Sequence, residues 1–177
     1  MNSIEKSGKY QSPKSKIFPW KSLKNKCGKS GLYESRLGKL YSEAGMNDEA
    51  EKVILEGISY KTTHNKILIF GLADIYIAQK KYDDAENLAN QLKESYGKWF
   101  GGYFMLGNVY VLKRRFHEVI NVLNKAKKLT DTMDVHLMLV LAYHQTDNHQ
   151  KTVESMKSAL EFSDHPLTVR SAVLLYA

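Results

Sequence analysis

Apolar and small residues recur along this chain at helical spacing, in pairs of short blocks separated by polar turns. Between residues 70 and 92 the sequence reads FGLADIYIAQKKYDDAENLANQL. Leu72, Ala73 and Tyr76 share one face of a first helix, and Ala85, Ala89 and Leu92 share one face of a second. The polar stretch at 80–84 is the turn between them. A pair this short cannot bury its apolar face alone, so the chain needs copies of it, and the copies are present. Tyrosines stand at 41, 76, 110 and 143, spaced by 35, 34 and 33 residues. Four residues before each comes a leucine (Leu37, Leu72, Leu106, Leu139), and three before come Gly38, Ala73, Gly107 and Val140. Nine residues after each come Ala50, Ala85, Val119 and Thr152.

The pattern predicts helices over 32–44, 48–59, 66–79, 83–95, 101–112, 117–129, 134–145 and 149–162, and one more over 166–177. Gly45 is placed to end the first helix and Asn47 to cap the second. Asp83 and Asp84 sit in a first helical turn, where the helix dipole favours acids. The small residues let two helices of a pair approach closely, and a larger side chain there would cost about 1–3 kcal/mol.

A small residue, a tyrosine three later and a small residue nine beyond that, within a repeat of about 34 residues, resembles the tetratricopeptide repeat family. The resemblance covers roughly residues 31–166. It implies an all-α fold, a right-handed α-α superhelix of about four helix-turn-helix repeats at 31–64, 65–99, 100–132 and 133–165, followed by the terminal helix. The departures are definite. Glu34, Ile69, Tyr103 and His136 replace the family's early tryptophan, and the turn glycine survives as Gly45 but becomes Lys80, Arg114 and Asp147 in later copies. Repeat four carries Val140 and Thr152 at both close-approach sites.

Hydrophobic residues make up 43% of the 177-residue chain and charged ones 25%, ordinary for one soluble domain or one short solenoid. The net charge of +7 is unevenly placed. Residues 1–30 hold eight lysines against Glu5, which leaves 18 basic and 18 acidic side chains in the repeats. This leader is expected to be disordered for much of its length. Three readings of it stay open. It is a solvated tail, or its lysines contact nucleic acid, an anionic membrane or an acidic partner, or the cluster Ile17, Phe18, Pro19 and Trp20 is an anchor that packs on the first repeat or enters the groove of its own or a neighbouring chain. The absence of arginine and of a regular basic face weighs against nucleic acid. No apolar run approaches the roughly 20 residues of a membrane helix, and the single Cys27 fits a reducing compartment, so cytoplasm is the expectation.

Catalytic and metal signatures fail. Gly28-Lys29-Ser30 has Leu23 where a phosphate-binding loop needs glycine, and the six histidines form neither an i, i+4 pair nor an HExxH frame. The expectation is a protein that is not an enzyme and uses no cofactor. The resemblance instead implies a concave wall of first helices facing a peptide or helix of a protein partner. On that wall it places Lys39, Asp74, Asn108 and Leu141, then Ser42, Ile77, Val111 and His144, with Ser35, Phe70, Phe104 and Leu137 from the third position. Phe104 and Leu137 read equally well as core. Family members that bind acidic chain ends use lysine, asparagine and arginine on this wall; here Lys39 and Asn108 match in kind, and Asp74 opposes a carboxylate. The apolar terminal helix offers an alternative, self-association through an open end or continuation into a longer array.

Overall fold

The computed structural model describes residues 13–162, apart from 22 and 24–26. The expected terminal helix at 166–177 and the first twelve residues lie outside the described residues. Among the described residues there is no strand. The helices are α1 (Pro13–Lys21), α2 (Leu32–Glu43), α3 (Asn47–Ser59), α4 (Asn65–Ala78), α5 (Tyr82–Ser95), α6 (Phe100–Leu112), α7 (Phe116–Leu129), α8 (Met133–Gln145) and α9 (His149–Glu161). The chain divides into two compact units at residues 75 and 76, inside α4. In the first, α1 packs on α2 and α2 on α3. In the second, α5, α6, α7, α8 and α9 each pack on the next, and α6 also meets α8. This is the nearest-neighbour packing of a helical-repeat solenoid.

The four turns share one backbone pattern. The carbonyls of Tyr41, Tyr76, Tyr110 and Tyr143 accept from the N–H groups of Met46, Lys81, Arg115 and Asn148 at 2.9, 2.8, 2.8 and 2.9 Å. Inside each, Gly45, Lys80, Arg114 and Asp147 donate to Ser42, Ile77, Val111 and His144 at 2.9, 2.9, 3.0 and 3.1 Å. These nested bonds satisfy carbonyls that a helix end leaves without partners, and they need one left-handed residue. Gly45 has φ 73°, and Lys80, Arg114 and Asp147 adopt φ 61°, 56° and 56° despite carrying side chains. The missing glycines have thus left the geometry unchanged. The carbonyls of Met46, Lys81, Arg115 and Asn148 then accept the N–H groups of Ala50, Ala85, Val119 and Thr152, which starts each second helix in the same register, repeat four included. Of the four, Asn148 adds a side-chain cap, accepting from Lys151 N–H at 3.2 Å. The cap expected from Asn47 is not made. Met46 occupies that position, and Asn47 is the first helical residue, its amide oxygen buried without a partner.

Packing explains the small residues. A Cβ built on Gly38 would stand 2.6 Å from Ile54 Cδ1, and Ala50, Ala85 and Val119 are fully buried. Tyr41, Tyr110 and Tyr143 are buried, and Tyr76, expected to match them, is half-buried. Each ring carries a cation over its face: Lys21 over Tyr41 at 5.6 Å, Lys81 over Tyr76 at 5.2 Å, Arg115 over Tyr110 at 4.5 Å and Lys151 over Tyr143 at 5.5 Å. In the first copy the turn offers Met46 instead of a cation, and α1 supplies Lys21.

That helix lies within the segment expected to be largely disordered. Ile17 is buried, Trp20 packs on Tyr33 with ring centroids 6.3 Å apart, and Arg36 stands over the Trp20 ring at 6.0 Å. Ile17 and Trp20 thus pack α1 on α2. Pro19 removes a backbone donor near the end of α1, which stops two residues later.

Candidate functional site

Two clefts open between first helices, one in each unit. In the first unit a cleft of about 350 Å³ lies between α2 and α4, with Ile54 of α3 at its floor. Ser35, Lys39, Ser42 and Glu43 line it from α2, and Ile67, Phe70, Asp74 and Ile75 from α4. Gly38 and Gly71 lack side chains here, and so keep it open. In the second unit a smaller cleft of about 130 Å³ lies between α6 and α8, lined by Phe104, Asn108, Val111, Asp134, Leu137, Met138 and Leu141.

Of the residues expected on the wall, Lys39, Phe70 and Asp74 thus meet in the first cleft, and Phe104, Asn108, Val111, Leu137 and Leu141 in the second. Ile77 and His144 line neither. Leu137 is 7% exposed and packs with Ala159 and Met133, so it acts mainly as core. Phe104 is half-buried and stacks on Phe100, centroids 5.1 Å apart. Sequence reasoning missed Ile67 and Asp134, although each stands three residues before a residue it did name, on the same helical face.

Charge is sparse in the first cleft. Lys39 and Glu43 approach each other to 3.9 Å on exposed side chains. Burial by surrounding protein pushes the Asp74 carboxyl up to about 6, and the positive charge of Lys39 pulls it back. The residue keeps broad contact with solvent, which screens part of that shift.

Away from the clefts, ion pairs join α5 to the end of α6 and the following turn. Lys113 Nζ reaches Asp83 and Glu86 at 2.6 Å each, while Arg115 reaches Glu86 and Glu118 at 3.0 Å each. Burial acts to raise the Glu86 carboxyl, but hydrogen bonding and the charges of Lys113 and Arg115 outweigh it and hold the group below its ordinary range. A polar cavity of about 280 Å³ also opens where α7, α8 and α9 meet, lined by Asn124, Lys127, Tyr143, Lys151, Glu154 and Ser158 among others. It was not foreseen, although Lys151, Glu154 and Ser158 share a helical face. Among the described residues no three metal-ligating side chains gather.

No family model matches the sequence. No curated protein matches it either. Solved structures do match. A tetratricopeptide repeat protein of Thermus thermophilus, TTC0263, superposes with a TM-score of 0.70 at 22% identity, over 83% of this chain and 81% of that one. MamA from Desulfovibrio magneticus RS-1, residues 41 to its end, matches with a TM-score of 0.68 at 16% identity, over 86% of each chain. A further MamA structure gives 0.67 at 17% identity, over 84% of this chain and 87% of that one. The chain is an all-α helical-repeat protein. Its fold is that of the tetratricopeptide repeat proteins, as the tyrosine period implied.

Proposed function

We propose that the chain is a non-catalytic scaffold that binds a peptide or helix of a protein partner against its first helices. The observation that carries this is the pair of open clefts, each set beside a phenylalanine that its own helix pair does not fully bury. Apolar grooves of this kind accept alternate side chains of an extended peptide or one face of an amphipathic helix. The neighbouring folds support a binding role in general.

Selection of a displayed library of random 12-residue peptides against the full chain tests the reading. Phe70→Ala and Phe104→Ala are each expected to weaken selected binders by about 1 kcal/mol or more while helicity is kept. Binders indifferent to both changes would move the site elsewhere.

One observation favours a second reading, self-association through α1. Phe18 is 80% exposed on a helix whose Ile17 is docked. Phe18→Ser should then shift an oligomer to monomer in analytical ultracentrifugation, and an unchanged distribution removes that reading.

A further inference from the structure

The α2–α4 cleft carries the chemistry of its occupant in its walls. Ile67 and Phe70 offer an apolar surface, and Asp74 stands one helical turn beyond Phe70, about 6 Å along α4. Lys39 and Glu43 offset each other across 3.9 Å. Asp74 makes no ion pair or hydrogen bond among the described residues and shares the charge of Lys39 with Glu43, so the lining as a whole carries one acidic side chain more than basic ones. The α6–α8 cleft repeats the combination on a smaller scale, with Phe104 beside Asp134 and no cation in its lining.

Resting on the scaffold reading above, we propose that the α2–α4 cleft takes a basic amphipathic segment, which lays an apolar side chain on Ile67 and Phe70 and sets a lysine or arginine against Asp74. An acidic segment meets Asp74 and Glu43 with like charge, which disfavours it. An uncharged apolar segment fills the wall but leaves the carboxylate partly desolvated and unpaired. The charged groups facing Asp74 are Lys39 and Glu43 on α2, and Ile54 of α3 adds none. Because burial raises the Asp74 carboxyl toward 6, a cationic occupant is released as pH falls through that value.

The test uses the full chain, peptides selected from the random library, and versions of each with one position set to Arg, Lys, Gln or Glu, read by fluorescence anisotropy. The Arg and Lys versions are expected to bind roughly tenfold tighter than the Glu version. Asp74→Asn should erase that preference and Asp74→Lys should invert it. Asp74 keeps broad contact with solvent despite the protein around it, and both substitutions keep a polar side chain there. Wild-type affinity for the Arg version should drop between pH 7.5 and 5, and that of Asp74→Asn should stay flat relative to it. Peptides that depend on Phe70 yet ignore charge, or prefer Glu, overturn this proposal and leave the scaffold reading standing. If no selected peptide depends on Phe70, the scaffold reading of this cleft falls and the proposal falls with it.

Discussion

Gly107 stands directly against Leu123: a Cβ built on the glycine would come within 2.6 Å of Leu123 Cδ2 and 3.1 Å of Met138 Cε. Leu123 is fully buried, so its side chain has to shift within the core to admit the methyl group. Gly107→Ala gains helix propensity of about 1 kcal/mol. The clash, about 1–3 kcal/mol, outweighs it. The expected outcome is a lower urea midpoint with an unchanged slope.

At Lys80 the sign reverses. Its φ of 61° places a side chain in the left-handed region, at a cost of roughly 1–2 kcal/mol. Lys80→Gly removes that strain and returns part of the gain through the freer unfolded chain, for a net stabilisation of about 0.5–1 kcal/mol. Arg114→Gly gains less, because Arg114 also stands over the Phe116 ring at 5.9 Å. Chemical denaturation of the two variants side by side checks the order.

The carboxylates predict two opposite pH trends. Asp74 is raised to about 6 in the folded chain, so between there and its ordinary range the native state holds more protons than the unfolded one. Stability therefore rises as pH falls from 7 toward 5. Glu86 and Glu118 are held low, and their contribution, complete above their unfolded values, is lost as pH falls through their folded ones. Stability measured against pH should peak on the mildly acidic side. Asp74→Asn should be more stable than wild type at pH 7 and equal to it at pH 4, a difference in which the histidines cancel.

The repeating tyrosines are not equivalent. Tyr41, 5% exposed, and Tyr110, 9% exposed, fill core sites, and truncating either to Ala should cost about 3–5 kcal/mol. Half-buried Tyr76 should cost visibly less. Thermal melts of Tyr41→Ala and Tyr76→Ala compared directly would show the gap.

This difference marks how far the sequence could be read. The Leu, small residue and Tyr pattern anticipated the four turns among the described residues and their shared register, because helical periodicity and close approach depend on side chains that letters display. The depth of Tyr76 depends on neighbours the period does not encode. The packing of α1 on α2 was hidden for a similar reason: a lysine-rich composition speaks for solvation, while Trp20 gains its partners Tyr33 and Arg36 only once α2 exists. On the candidate wall, the offset to the tyrosine picks out Phe70 and Asp74, and both line the α2–α4 cleft. Leu137 read equally well as wall or as core, and its contact with Ala159, from another helix, is what makes it mainly core. Ile77 and His144 follow the offset and still miss both clefts.

The hairpins are held by main-chain amides and carbonyls, with Lys80, Arg114 and Asp147 standing where glycine serves once. Because the pattern rests on backbone groups, four different spellings of the bend close with the same pair of bonds, and the shape of the turn is kept where its glycine is not.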